Sequence, residues 1–306
     1  MNRRSKILEH CKKKGKGLEI GPSFNPIAPK SEGYDVDVLD HATADELKAK
    51  YAPHGVDITK IELVDFVWKG QPIDELVGRV GIYDWIIISQ VIEHVPDIIS
   101  FFRSCSNLLK PDGILSLAIP DKRYCFDFFR WPTSTGDVLQ AWTEKNNRHR
   151  MGAVFDHLSL ACKKGEQHAW GKMHYGKFSF VHDFSDAASF FRDYGNHNEY
   201  VDAHAWRFTP SSFRLILLDL KNLGLTDFSE VGFHDTEGCE FFVSLGRSLQ
   251  GELGDSKVRL SLCERIVSEI AEQAVDQGLY TMLLGKYSTA VISRLKRTLR
   301  WFRWIK

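Results

Sequence analysis

The sequence predicts an α/β fold: a doubly wound, mostly parallel sheet with a helical insertion and C-terminal helices. Three observations predict it. Five strand-like runs succeed one another through residues 17–120, with helical stretches between most of them, as in βαβ units. Two of the runs, "IIIS" and "ILSLAI", are almost continuously apolar, as strands covered on both faces must be. After a long irregular segment, one amphipathic helix and two further strand-like runs resume the pattern.

The elements follow in order. Residues 1–14 form a short basic helix. "GLEI" (17–20) is the first strand and "YDVDVL" (34–39) the second, followed by a helical "TADELKAKY". "IELVDFV" (61–67) is the third, then "PIDELVG". "YDWIIIS" (83–89) is the fourth, then a helix over about 97–110. "GILSLAIP" (113–120) is the fifth, entered through a Pro-Asp-Gly turn. From Asp121 to about Ala205 the pattern changes, and seven of the twelve histidines gather there with many aromatics. This reads as a helical insertion, residues 121–203, over one end of a core formed by residues 1–120 and 204–248. "TPSS" starts a helix, with Thr209 as N-cap and Pro210 at the first helical position; Phe213, Ile216, Leu217 and Leu220 share its apolar face. "LTDFSEVGFH" and "CEFFVSLGRS" read as closing strands. A polar linker over 249–260 leads to C-terminal helices within 249–306.

The chain has 306 residues, 43% of them hydrophobic, enough for a large core. Its formal charge is zero but unevenly placed: residues 1–16 and 286–306 each carry seven Lys/Arg, and the body between them carries 26 basic against 39 acidic residues. Such a body is a poor nucleic-acid binder, because phosphate contacts need a basic face. Six cysteines show no CxxC and no pairing pattern, and Cys105 and Cys239 sit in patterned segments as buried thiols do, which suits a reducing cytoplasm. No signal peptide and no membrane-spanning run is visible.

In an open parallel sheet, ligands bind beyond the carboxyl ends of the strands near the switch in strand order. The first strand ends on Glu19 and Gly21. The second ends on Asp40, 19 residues after Gly21, close to the spacing at which an acid reaches a ribose diol. The third offers Asp65 beside Phe66, an acceptor and an aromatic face suited to adenine. The fourth ends in "SQVIEHV" (89–95). Each acid alone could equally cap a turn or a helix; four features in order at strand ends point to a cofactor.

In this order "LEIGPSFNP", "VDVLDH", "VDFVW", "DWIIISQVIEHVPD", "LLKPDGILSLAIPDKRYCFD" and the closing strand pair resemble class I S-adenosylmethionine-dependent methyltransferases, over about residues 15–125 and 204–247. More narrowly they resemble bacterial type 11-like methyltransferases associated with surface-polysaccharide and glycan genes. The resemblance implies a Rossmann-like sheet of seven strands with an antiparallel last strand, and S-adenosyl-L-methionine as cofactor. It implies that Glu19, Gly21, Pro22 and Ser23 frame the methionine end, Asp40 and His41 the ribose, and Asp65 and Phe66 the adenine. Ser89 and Gln90 would pass near the sulfonium. Two departures stand out. Gln90 replaces the histidine frequent in the subgroup, and the glycine-rich loop is reduced to Glu-Ile-Gly-Pro-Ser-Phe-Asn-Pro. A pyrophosphate needs those missing glycines for close backbone approach, so the loop argues against a dinucleotide and tolerates a cofactor without phosphate.

Methyl transfer to a hydroxyl needs in-line alignment and removal of a proton. Asp121, His94, His157 and His182 are the candidate bases. Lys122 or Arg123 could hold an anionic acceptor group, and Tyr124, His204 and Arg207 complete the expected acceptor-binding set. For "PDKRYCFD", a salt-bridged loop that positions the insertion is the competing reading. His157, His182 and His204 each have an aspartate one or two residues away that could orient the ring. His174, His182 and His204 with nearby aspartates could form a divalent-metal site, but they lack the tight spacing of a strong metal motif, so no metal ligand is expected. Trp131, Trp142, Phe155, Trp170, Tyr175, Phe178 and Phe180 could stack on a sugar or form the insertion's own core. The tail "VISRLKRTLRWFRWIK" reads as a basic amphipathic helix able to lie on an anionic membrane, or as a packing helix. The expected function is O-methylation of a sugar or glycan precursor in the cytoplasm, at the inner membrane face if residues 286–306 bind there. The alternatives are methylation of a lipid or other small hydroxylated molecule, and a non-catalytic binding module. The expected partner is a small-molecule or glycan substrate rather than nucleic acid, and self-association is left open.

Overall fold

The computed structural model describes residues 1–172, 174, 176–196, 200–248 and 256–276. Tyr175, the greater part of the expected linker and the basic tail lie outside the described residues. The sheet is formed by β1 (Gly17–Ile20), β2 (Val36–Asp40), β3 (Phe66–Val67), β4 (Tyr83–Ser89), β5 (Leu109–Pro120), β8 (Phe228–Glu237) and β9 (Glu240–Arg247). Its order is β3-β2-β1-β4-β5-β9-β8, with β1 to β5 parallel and β9 antiparallel to both neighbours. This is the seven-stranded, Rossmann-like arrangement expected.

The alternation of β4 shows why a continuously apolar strand suits this sheet. Ile86 and Ile88 face the main core with α4 (Ile98–Leu108) and α8 (Pro210–Asn222), while Trp85 and Ile87 face a second core with Ile7 of α1 (Arg3–Leu8). The ring of Trp85 lies against Gly17, where any Cβ would stand 2.1 Å from it. Asp97 caps α4 by accepting the N–H groups of Ile99 and Ser100. Thr209 and Ser212 form a capping box at α8, Pro210 occupies its first turn, and Phe213, Ile216, Leu217 and Leu220 are all buried.

Between β5 and α8 lie α5 (Thr135–Thr143), α6 (Met151–Leu160) and α7 (Phe184–Asp193), together with a ribbon of β6 (Cys162–Lys164) and β7 (Phe178–Phe180). The insertion is therefore not purely helical. The last described helix, α9 (Ser256–Asp276), ties α8 to the insertion: Glu269 accepts the N–H and hydroxyl of Ser211, Arg259 pairs with Asp219, and Gln273 meets Lys122 and the Phe128 carbonyl. The remaining helices, α2 (Ala44–Tyr51) and α3 (Ile73–Val77), join consecutive strands.

Two expectations are corrected, and an open one is divided. The third strand is two residues long, because the Asp65 side chain accepts the Val38 N–H and so replaces the ladder bond a longer strand would make. Cys239 is half-buried, unlike the buried Cys105, because it lies in the turn between β8 and β9; all six cysteines are free. Of the candidate sugar-stacking rings, Trp170 and Phe178 pack with Phe128 and Tyr124 as a satellite core, whereas Trp131 is exposed. No helix among the described residues is long and apolar enough to cross a membrane.

Candidate functional site

The strand order reverses between β1 and β4, and the loops leaving β1, β2 and β4 define a crevice there. Glu19 builds its floor. The Glu19 carboxylate accepts the N–H groups of Ile27 at 2.6 Å and Ala28 at 3.0 Å, and burial pushes its pKa up to about 7. These bonds pin the far end of the loop, so Glu19 shapes the site without facing it. Gly21 has φ +69°, and a Cβ there would meet the Val91 side chain at 2.6 Å. Pro22 accepts the Asn25 N–H and tightens the same turn. Asp40 accepts the N–H of Ser23 at 2.9 Å and both the N–H and Nδ1 of His41, at 2.8 and 2.7 Å. A carboxylate has about four acceptor positions and three are used, so Asp40 retains one, on Oδ2, for a hydroxyl of the ribose. The Ser23 Oγ is buried with no partner. The cradle at Gly21, the orphaned Ser23 hydroxyl and the residual capacity of Asp40 fit the phosphate-free methionine and ribose ends of S-adenosylmethionine.

Other expected cofactor contacts are placed differently. Asp65 stands before β3 rather than beyond its carboxyl end, bonded to the Val38 N–H and Lys30, and Phe66 packs against the main core. Residues beyond β3 begin with Trp68, whose N–H bonds the Asp40 carbonyl. Ser89 accepts from Arg3, and Gln90, held at φ +57°, donates to Glu240, which also pairs with Arg3. Arg3 and Glu240 were not foreseen; the only sequence signal was the basic character of residues 1–16.

Beyond β5 the "PDKRYCFD" loop is sealed. Asp121 is fully buried and accepts from Arg123 Nε and Nη2 and from the Thr236 hydroxyl. It therefore locks the loop to the end of β8 and is not placed as a base. Arg123 is tied to it, Tyr124 is buried in the satellite core, and Lys122 donates to the Phe128 carbonyl and Gln273, its pKa pulled down to about 8 by burial. Of these four, Asp121 and Arg123 form the salt bridge, and Lys122 and Tyr124 are buried in packing and neutral hydrogen bonds.

The histidines converge elsewhere. A single 3-10 turn, Ile92–His94, follows β4, and the Glu93 carbonyl accepts the N–H groups of Ala205 and Trp206. This brings His204 beside His94, with ring centroids 4.6 Å apart. His204 Nδ1 is 2.5 Å from Asp127 Oδ2, and Asp127 is also paired with Arg130. His94 Nδ1 is 3.0 Å from Asp202 Oδ1. His204 thus takes Asp127 rather than its sequence neighbour Asp202, which stands at ion-pair distance from His94 instead. Glu93 is 1% exposed and neither carboxylate oxygen has a hydrogen-bond partner; burial raises its pKa. Burial alone would raise the Asp127 pKa, but its contacts with His204 and Arg130 outweigh desolvation and hold it far below the usual carboxylate range. His157 lies 6.5 Å from His204 and 6.1 Å from His182 between ring centroids; its Nδ1 is unpaired and burial pulls its pKa to about 4.

Two cavities open next to this cluster. One, of about 320 Å³, is lined by His149, Asp156, Trp206 and Arg207 among others. Arg207 is held there by the Ala205 carbonyl and the Thr133 hydroxyl. The other, of about 660 Å³, runs between Trp68, Ile73, Phe101 and Trp142. Both reach Pro96.

Known proteins match this arrangement to different depths. No curated protein matches the sequence. Among solved structures, a methyltransferase from Methanosarcina mazei described as S-adenosylmethionine-dependent is similar at 15% identity, over 80% of this chain and 97% of that one, with a TM-score of 0.40. A second, from Mesorhizobium loti, is similar at 13% identity over 79% and 95%, also with a TM-score of 0.40. The 1,6-didemethyltoxoflavin-N1-methyltransferase of Burkholderia thailandensis, solved with S-adenosylhomocysteine, is similar at 12% identity over 81% and 76%, with a TM-score of 0.40. A family model described as a methyltransferase domain matches residues 2–217, well over half of the sequence and every loop of the crevice. The chain belongs to this methyltransferase-domain family, and S-adenosylmethionine is its methyl donor.

Proposed function

We propose that the protein is an O-methyltransferase acting on a small hydroxylated acceptor, with a sugar unit as the leading class. The observation that supports it is the Glu93–His94–His204 cluster at the carboxyl end of β4, next to a cavity lined by Arg207, His149 and Asp156. A neutral amine can attack a methyl donor without losing a proton first, whereas a hydroxyl needs a group that draws its proton away. An unpaired carboxylate between two oriented imidazoles is such a group. The bound donor supplies an electrophilic methyl on a sulfonium. The residues of this chain hold the donor (Gly21, Ser23, Asp40), orient the acceptor (Arg207) and manage its proton (Glu93, His94, His204). The sugar class rests on the sequence resemblance to glycan-associated enzymes.

A second reading is favoured by the larger cavity. Trp68, Ile73, Phe101 and Trp142 suit an acceptor with an apolar part, such as a quinol or a lipid headgroup with its first methylenes. Labelled methyl transfer to nucleoside-diphosphate sugars, oligosaccharides, quinols and lipids separates the two. Transfer to carbon or nitrogen acceptors alone would overturn the proposal. Calorimetric titration with S-adenosylhomocysteine is the prior step; a chain that does not bind it is a non-catalytic module.

A further inference from the structure

We infer that Glu93, His94 and His204 form a binding site for one divalent first-row transition-metal ion. Among the described residues, their ligand atoms all lie within 4.8 Å of one another. The Nε2 atoms of His94 and His204 stand 3.8 and 3.9 Å from the same oxygen, Glu93 Oε1. These separations are too long for hydrogen bonds and close to those of ligands around one ion. With metal–ligand distances of about 2.0–2.1 Å, two tetrahedral ligands stand roughly 3.4 Å apart, so each imidazole need close on the carboxylate by only about half an ångström.

Two independent observations support the site. Glu93 is 1% exposed, yet neither of its carboxylate oxygens has a hydrogen-bond partner. Buried polar groups are ordinarily satisfied, and a buried carboxylate without a partner calls for a cation. The second observation lies behind the ligands. Both imidazoles turn Nε2 toward Glu93 and have a carboxylate near Nδ1: Asp127 is hydrogen-bonded to His204 at 2.5 Å, and Asp202 stands 3.0 Å from His94 Nδ1 at ion-pair distance, outside hydrogen-bond alignment. A carboxylate on the distal nitrogen fixes the tautomer and raises the basicity of the ligating nitrogen, the usual arrangement behind metal-bound histidine. The backbone bonds from Ala205 and Trp206 to the Glu93 carbonyl hold the two ligand-bearing segments together without the ion.

The donor set fixes the class of ion. Two imidazoles and one carboxylate suit zinc, manganese, iron or cobalt; magnesium and calcium prefer all-oxygen sites. Three protein ligands leave a coordination position open, as in catalytic rather than structural sites. An acceptor hydroxyl placed there would lose its proton more readily. That role rests on the methyl-transfer reading; the binding site itself does not.

The test uses the full chain, stripped with a chelator and titrated with zinc against a chromophoric competitor. The expected result is one equivalent per chain, retained through gel filtration, not displaced by excess magnesium and abolished in both Glu93→Gln and His94→Gln. Cobalt should give a spectrum without a thiolate charge-transfer band. Asp202→Asn, whose side chain is largely exposed, should fold and bind roughly 10-fold more weakly. Failure of the stripped chain to take up an equivalent would overturn the site, as would a thiolate band, or affinity unchanged in Asp202→Asn or in folded Glu93→Gln. S-adenosylhomocysteine titration of the same preparations keeps the two readings apart: donor binding without metal uptake overturns only the metal site.

Discussion

Asp40 Oδ2 accepts the backbone N–H of Ser23 at 2.9 Å, so the carboxylate at the end of β2 also fastens the loop that leaves β1. On the proposed reading this one residue performs two tasks, holding the loop and presenting an acceptor to the donor's ribose. Asp40→Ala leaves the N–H groups of Ser23 and His41 unpaired, at a cost of about 1–3 kcal/mol each where they remain dry. S-adenosylhomocysteine affinity should fall at least roughly tenfold, while Asp65→Ala, which alters a bond outside the crevice, should change it little. Calorimetric titration of both variants checks the contrast.

Gly21→Ala should fail for two separable reasons. A side chain at φ +69° costs about 1–2 kcal/mol, and its Cβ would press on Val91. A second substitution, Val91→Ala, relieves the collision but not the backbone strain. Donor affinity should therefore recover in part in the double variant. Thermal denaturation with and without S-adenosylhomocysteine reads both effects.

Asp127→Asn should be among the most destabilising single changes. It removes the shared charged partner of two buried side chains, Arg130 and His204, and breaking the buried Asp127–Arg130 ion pair costs about 3–5 kcal/mol. Asp202→Asn removes only a largely exposed partner, and its effect on urea unfolding should stay within about 0.5 kcal/mol.

Protonation of one buried imidazole should work against the fold as the pH falls. His149 is buried with both ring nitrogens unpaired, and burial, with His94, His204 and Arg130 nearby, lowers its pKa to about 4 against the opposing pull of Asp202. The unfolded chain takes up this proton near pH 6.5 and the folded chain does not. Its contribution is therefore complete above pH 6.5 and lost as pH falls to 4, by about 3 kcal/mol at the lower limit. Urea unfolding at pH 7.5, 6 and 5 should show the slope, and His149→Gln should flatten it. An identical pH slope in the variant would sink this assignment.

What was legible in the sequence was local. The strands, the Thr209 cap with Pro210, the apolar face of α8 and the positions of Gly21 and Asp40 all follow from residues a few positions apart. What was hidden was joined only by folding. His204 meets Asp127 across 77 positions, and Arg3 meets Glu240 across 237. Spacing predicted that each histidine would use its neighbouring aspartate, but adjacent residues project in different directions, and Asp202 turns to His94 instead. Asp121, Lys122 and Arg123 were misplaced for a related reason. Charges just past a strand end read as site residues until the turn between β8 and β9 and the face of α9 close over them.

The pairing of β5 with β9 has a practical corollary. The family match stops at residue 217, before β8 and β9 have begun. Cut there, the chain would present the twelve-residue β5 as a bare sheet edge, its ladder from Ile114 to Pro120 unanswered. Such an edge recruits another copy in place of the missing strand. A fragment designed on the family boundary would accordingly aggregate, and one that extends through α9 would not.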